Sequence, residues 1–367
     1  MDITARDTPY AIAMWDYSWL ERRNDGGGYA DWDRALDELV ERGYDAVRID
    51  AYPHLVAAEP RGTHRLAPAF EACDWGSRDV IDVQVLPALV EFVAKCADRD
   101  VAVALSTWFR IDEGNSRMAI ESPADLAAIW RETLGYLANA DLLEAICWVD
   151  LCNEFPLGAW APFFEPGDDD YAPERHRPAA QQWIETSIDG VREAYPDVAY
   201  CVSETAGPGA PWGRTPAASM DLIELHLWLM NTTSFYRWER YDEPLDSEAH
   251  FQWFAETGAH RYRDDAEHWQ AELETVIQTA ADWSRRTGLP LATTEGWGPI
   301  HFRDDPALEW DWVKEICAFA TRRAADTGRW AAIATSNFCG PQFTSMWDDV
   351  EWHRELTDDI TSASVDL

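Results

Sequence analysis

Two glutamates, Glu154 and Glu295, each end a short apolar run and are followed at once by chain breakers. The first closes Ile146-Cys147-Trp148-Val149-Asp150-Leu151-Cys152-Asn153-Glu154, ahead of Phe155-Pro156. The second follows Pro290-Leu291-Ala292-Thr293-Thr294 and precedes Gly296-Trp297-Gly298-Pro299. A carboxylate at the end of a buried strand is costly unless it is paired or put to use, and strand ends of this kind are where parallel α/β barrels keep their chemistry. Two carboxylates that face each other across a sugar can cleave a glycosidic bond, one protonating the leaving oxygen and the other attacking the anomeric carbon. They must then stand on opposite staves. A helix cap or a rim carboxylate is the plainer alternative for either residue.

The elements that would position the pair alternate regularly. Strand-like runs fall at Tyr10 to Asp16, Asp45 to Ala51, Val101 to Trp108, Glu144 to Leu151, Val198 to Glu204, Asp221 to Trp228, Leu289 to Glu295 and Trp330 to Asn337. Eight is the number that closes a barrel. Amphipathic stretches separate them: Ala30 to Arg42, Val80 to Ala97, Pro123 to Ala138, Pro178 to Ala194, Asp265 to Arg286, Pro306 to Ala325 and Ser345 to Ile360. The expected fold is a single (β/α)8 TIM barrel over residues 1–367, with no internal repeat and no linker. A doubly wound sheet would alternate in the same way, but no Gly-x-Gly-x-x-Gly follows the first strand. Long aromatic connections are expected after strand four (Phe155 to Arg177) and strand six (Leu229 to Asp264), and loops of that length tend to be functional.

The chain carries 67 Asp and Glu against 30 Lys and Arg, a formal net charge of −37. Lys95 and Lys314 are its lysines, and no acidic tail holds the excess. Such a dispersed negative surface suits a protein kept soluble at very high salt, and it argues against nucleic acid or an anionic membrane as partner. The seven cysteines form no Cys-x-x-Cys pair and lie mostly inside apolar runs, as reduced thiols of a cytoplasmic protein would. No run reaches transmembrane length and the first nine residues lack an apolar signal core. The 21 tryptophans suit a carbohydrate substrate, whose rings offer apolar faces. Most are expected to be packing residues. Trp15, Trp108, Trp228 and Trp297, at strand ends, are the candidates for substrate contact.

Trp148-Val149-Asp150-Leu151-Cys152-Asn153-Glu154 and Thr294-Glu295-Gly296-Trp297-Gly298 resemble the strand-four and strand-seven motifs of clan A glycoside hydrolases, in the cellulase-like branch near family 5. Val47-Arg48-Ile49 resembles that clan's strand-two arginine and His226 its strand-six histidine, in the same chain order. The resemblance implies a retaining hydrolase without metal or cofactor. Glu154 would be the acid/base, Glu295 the nucleophile, Asn153 the partner of the sugar 2-hydroxyl, and Arg48 the charge that keeps Glu295 ionised. Glu154 would need a raised pKa and Glu295 a depressed one.

This sequence also departs from the pattern. His226-Leu227-Trp228 stands where the clan carries His-x-Tyr, and Ser106-Thr107-Trp108 where a histidine is expected. The eighth strand has no obvious stacking tryptophan; Asn337 and Trp347 are the candidates for substrate contact there. Glu204 and Asp16, at the ends of strands five and one, are assigned to substrate hydroxyls. Arg48 could instead pair with Asp50 on the same strand face, and His226 could be a core histidine. Two other classes remain open: a divalent-metal sugar isomerase or epimerase ringed by Asp50, Glu154, Glu204, Glu295 and His226, and a sugar-binding protein that has lost turnover.

Overall fold

The computed structural model describes residues 3–69, 73–164, 175–206, 213, 215–217, 219–229, 233–236, 248–299 and 303–367. The barrel strands are β1 (Tyr10–Asp16), β2 (Ala46–Asp50), β5 (Ala102–Ser106), β6 (Ile146–Asp150), β7 (Tyr200–Cys201), β8 (Glu204–Thr205), β9 (Ile223–Trp228), β10 (Leu291–Thr293), β11 (Gly296–Trp297) and β12 (Trp330–Ala334). A small antiparallel hairpin, β3 (His64–Leu66) and β4 (Ile81–Val83), lies between β2 and β5 in sequence. All barrel pairings are parallel, running β11-β9-β10-β12-β1-β2-β5-β6-β7, with β8 returning to β9. The curled sheet is an α/β barrel of eight staves, two of them broken.

The fifth stave is one break. Its first half, β7, pairs with β6, and its second half, β8, pairs with β9. Between them, Ser203 gives its N–H to Asp150 Oδ1 at 2.8 Å and its hydroxyl to Asp150 Oδ2 at 2.8 Å. The carbonyls of Val202 and Ser203 accept from the buried Arg175 guanidinium. Side chains thus satisfy backbone groups of Val202 and Ser203 that the ladder leaves, which lets the chain step sideways at this point.

Outside the ring, amphipathic helices cover the strands, among them Trp32–Glu41, Val85–Ala97, Pro123–Ala138, Pro178–Arg192, Ala266–Thr287, Asp311–Asp326 and Val350–Thr361. Asp31, Ser122 and Asp349 accept from first-turn N–H groups and so start three of them. The strands are buried on both faces, as expected when helices enclose a parallel sheet. Three expectations change. The stretch from Val80 starts as β4 and becomes helical only at Val85. The segment after strand six, expected as loop to Asp264, contains helices Glu248–Trp253 and Ala259–Asp264 joined by a π-helical turn, Phe254–Gly258. The C-terminal stretch divides into Thr344–Trp347 and Val350–Thr361. Tyr171, Trp238 and Tyr241, expected on the long loops, lie outside the described residues.

Candidate active site

Parity on β2 aims Ala46, Arg48 and Asp50 at one side of the sheet and Val47 and Ile49 at the other. Arg48 is fully buried in the barrel. One guanidinium nitrogen donates to Glu295 Oε1 at 2.9 Å. The other terminal nitrogen donates to Ser106 Oγ at 2.9 Å, Asp150 Oδ2 at 2.7 Å and Asn153 Oδ1 at 2.8 Å. Nε lies 3.3 Å from Glu224 Oε1. The ring of Trp108 is 4.5 Å from the guanidinium carbon. Arg48 thus joins β2 to β5, β6, β9 and the end of β10, and it holds Glu295 and Asn153 in place at once. A pairing of Arg48 with Asp50, left open by the sequence, does not form. Asp50 instead accepts from the N–H groups of Tyr52 and Trp108 at 2.7 and 3.0 Å.

Glu154 stands across the barrel at the end of β6, in a left-handed conformation with φ 47. That conformation is uncommon for a residue with a side chain and tends to be kept where function needs it. The Ser203 hydroxyl accepts its N–H at 2.9 Å, while the indole of Trp160 donates to Oε2 at 3.2 Å. His226 Nδ1 lies 2.9 Å from Glu154 Oε1 and 3.5 Å from Glu295 Oε2. A ligand atom from each of the three groups falls within 4.8 Å of the others. The two glutamates are therefore brought together, with His226 beside both.

Charge balance decides who holds protons. Burial lowers the His226 pKa, but the charge of Glu295 and hydrogen bonds to Glu154 and Glu224 outweigh it and raise it to about 10. Burial raises the Glu154 carboxyl, yet the hydrogen bond and charge of His226 prevail and hold it below the usual range. Glu295, with burial foremost and repulsion from Glu154 outlasting the help of His226 and Arg48, rises to about 7. These directions are the reverse of those expected from the sequence. The cause is geometric: His226 is closer to Glu154 than to Glu295, so the proton expected on Glu154 resides on the imidazole next to it.

The other candidates are placed as follows. Glu204 sits at β8 with Oε2 3.5 Å from Arg175 Nε, and burial lifts its pKa to about 7. With Asp50 and Glu204 so engaged, the candidate cation ring shrinks to Glu154, His226 and Glu295 among the described residues. Trp15, Trp108, Trp228, Trp297 and Trp347 are 0, 4, 1, 0 and 2% exposed. Trp108 borders the site on Arg48, while Trp228, two residues beyond His226, packs against Trp75 with ring centres 5.8 Å apart. Trp15 turns to the helix layer, its ring against Phe92 and its N–H on the Cys339 carbonyl. Trp297 donates to the Ala334 carbonyl, and Trp347 packs on Arg42 and donates to Glu38. Those three indoles are committed to packing and offer no open ring face. Asp16 and Asn337 lie at the ends of neighbouring strands β1 and β12, both buried.

Asp150, Glu224 and Ser106 contact Arg48, and Trp160 contacts Glu154, and none of the four was given a role from the sequence. Glu224 was legible in principle, since it precedes His226 by two and shares its strand face.

A parallel α/β barrel whose C-terminal face joins two glutamates, an arginine and an asparagine is a glycoside-hydrolase-type scaffold. The family model described as sugar-binding cellulase-like matches residues 12–361, and the chain belongs to that family. A solved candidate glycoside hydrolase from Parabacteroides distasonis is 41% identical, covering 98% of this chain and 96% of its own, with a TM-score of 0.94. The endo-β-1,4-mannanase of Thermotoga petrophila is 10% identical over 99% of this chain and 79% of its own, with a TM-score of 0.57. A hyperthermophilic endo-β-1,4-glucanase solved with substrate is 10% identical over 93% of both chains, at 0.53. The latter two show a shared fold. Comparison with curated proteins gives no match.

Proposed function

We propose that the protein is a retaining glycoside hydrolase acting on O-glycosidic bonds, with Glu295 as nucleophile and Glu154 as acid/base. The observation that carries this reading is the convergence of Glu154, His226 and Glu295 within 4.8 Å, which favours the short carboxylate separation of a retaining pair over the wider gap of an inverting one. Arg48 supports the nucleophile by donating to Oε1 at 2.9 Å, which aims Oε2 at the substrate. Asn153 Oδ1 is tied to Arg48, so its amide nitrogen, unpartnered in the buried site, is the donor left for a sugar hydroxyl. As the leaving oxygen departs, Glu154 passes on the proton it shares with His226; it then recovers that proton from the water that hydrolyses the glycosyl-enzyme.

A divalent-metal isomerase would use the same three ligands. The permanent cation of Arg48, bonded to one of them, opposes a dication there. A sugar-binding protein without turnover would keep the carbohydrate site but not the chemistry, and one experiment separates these readings. Glu154→Ala should keep glycosylation by an activated aryl glycoside and be rescued by azide with retained configuration, whereas Glu295→Ala should be inactive and give the inverted azide product. Roles exchanged between the variants would overturn the assignment, and wild-type turnover in both would place the chemistry elsewhere.

A further inference from the structure

Buried polar side-chain atoms in a folded protein nearly always find partners, and here a group of exceptions falls at and beyond the ends of β1 and β12, with β12 next in the ring to the stave that carries Glu295. Asp16 Oδ2, Asn337 Oδ1 and Nδ2, and Gln342 Nε2 have none, although the three residues are 1, 0 and 8% exposed. Their other contacts hold them in place. Asp16 Oδ1 accepts the Ser18 N–H at 2.5 Å, leaving Oδ2 over. Gln342 Oε1 accepts from the Tyr29 hydroxyl at 2.6 Å, leaving the amide nitrogen over. Asn337 donates its backbone N–H to the carbonyl of Gly296 at 2.8 Å, one residue beyond Glu295.

The three belong to one place. Ile12 on β1 pairs with Ala334 on β12, so Asp16 and Asn337, a few residues further along, lie at similar heights on adjacent strands. Asp16, whose carboxyl burial holds well above the usual range, is the ionisable neighbour that acts most strongly on Tyr29, the residue bonded to Gln342. Gly340 permits that approach, because a Cβ there would come within 2.3 Å of Gln342 Oε1 and 2.6 Å of the Tyr29 hydroxyl.

We propose that Asp16, Asn337 and Gln342 form a subsite beside Glu295 that reads two adjacent free hydroxyls of the glycosyl ring, making the preferred substrate a neutral, unsubstituted sugar at that position. The proposal rests on the reading of Glu154 and Glu295 as the reacting pair, which places the ring. A hydroxyl both donates and accepts, which matches an acceptor oxygen on Asp16 next to a donor on Gln342. The Asn337 amide offers the same two functions to the neighbouring hydroxyl. A ring that lacks a hydroxyl there, or carries an acetamido group or a methyl ether, leaves protein groups buried without partners and is rejected for that reason.

The test crosses substrate with variant. Asp16→Asn and Asn337→Ala are measured on an aryl glycoside of a neutral sugar and on its series of monodeoxy analogues, with thermal unfolding recorded alongside. With the intact sugar, each variant should lose about tenfold or more in kcat/KM, the range expected when a hydrogen bond to a buried carboxyl or amide group is lost and its partner is left unpaired. With the one deoxy analogue that lacks the hydroxyl read by that residue, variant and parent should be nearly equal. Asp16→Asn should leave the melting temperature unchanged or higher, because it replaces a buried carboxyl that has one oxygen without a partner and keeps the acceptor for Ser18. Equal losses on every analogue, or a lower melting temperature with unchanged kinetics, would overturn the subsite and make these atoms hosts of internal water. If no aryl glycoside is turned over by the parent, the same series is run as binding of free monosaccharides followed by tryptophan fluorescence. Coupling there upholds the subsite while the hydrolase reading falls, and no coupling or no binding ends both.

Discussion

Activity should describe a bell with an alkaline optimum, a consequence of the way six ionisable groups share the barrel centre. Arg48 and His226 are the cations; Asp150, Glu154, Glu224 and Glu295 are the carboxylates around them. Four potential negative charges against two positive ones make it costly to ionise the last carboxylate, and Glu295 is that one, raised to about 7. Below that pH the nucleophile is protonated and cannot attack. The proton for the leaving group is held between His226 and Glu154, and it is lost as pH passes the imidazole value of about 10. kcat/KM should therefore rise tenfold per pH unit up to about 7, stay level, and fall above about 10. At pH 5 only about one site in a hundred would have Glu295 ionised, giving about a hundredfold loss from the plateau. The assay is initial-rate hydrolysis of an aryl glycoside at low substrate, which reports the free enzyme. Replacing His226 with Gln removes the stored proton and should move the alkaline limb down, toward the Glu154 carboxyl itself. An optimum near pH 5 in the parent, or an alkaline limb that does not move in the variant, would refute the assignment of the two limbs.

Stability has its own pH dependence from the same groups. The His226 pKa is raised above its ordinary 6.5, so its stabilising contribution is whole below that value and disappears as pH climbs through about 10, which a calorimetric melt across that window would record. Arg48→Met should destabilise the fold by about 3–5 kcal/mol, because it leaves several buried carboxylates without their cation; a denaturant midpoint unchanged from the parent would contradict the network described here. The dispersed excess of carboxylates, −37 in formal charge, should make the protein less stable when potassium chloride falls from molar to a few tens of millimolar, where the screening length exceeds about 10 Å. A melting temperature indifferent to that change would assign the acidity another cause.

Much of the barrel was legible because the short apolar runs and their Gly and Pro boundaries are local features. Tyr10–Asp16 and Pro123–Ala138 match the structure to the residue. The fifth stave was not legible as two pieces, since its break depends on Asp150 and Arg175, which meet Val202 and Ser203 only once the barrel has closed. The turn into helix along residues 248–264 was hidden for a related reason. That stretch carries aromatics and charges without a clean apolar stripe, and its helices are held by packing partners such as Trp312, whose ring lies tilted against Tyr262 with ring centres 5.5 Å apart.

Of the site, the residue types were legible and their electrostatics were not. Glu154, Glu295, Arg48, Asn153 and His226 each carried a signal in strand position and neighbours, and they converge. The tryptophans show the limit of that reasoning. An aromatic at a strand end faces the cleft or the helix layer according to a parity that one bulge reverses, and the β1 register does shift between Met14 and Asp16. Trp15 accordingly packs outward on Phe92 while Asp16 ends at the catalytic rim. The proton distribution was further out of reach. The roles taken from carboxylate chemistry require a protonated acid and an ionised nucleophile, but a histidine 2.9 Å from the acid and 3.5 Å from the nucleophile redistributes one proton among three groups. On the proposed roles the acid's function would belong to the Glu154–His226 pair, because either group can hold the proton and only Glu154 need touch the leaving oxygen. On this view the tyrosine missing from the strand-six pattern does not forbid catalysis: Arg48 fixes Glu295 Oε1, and the His226 cation faces Glu295 Oε2, so the nucleophile is positioned without it.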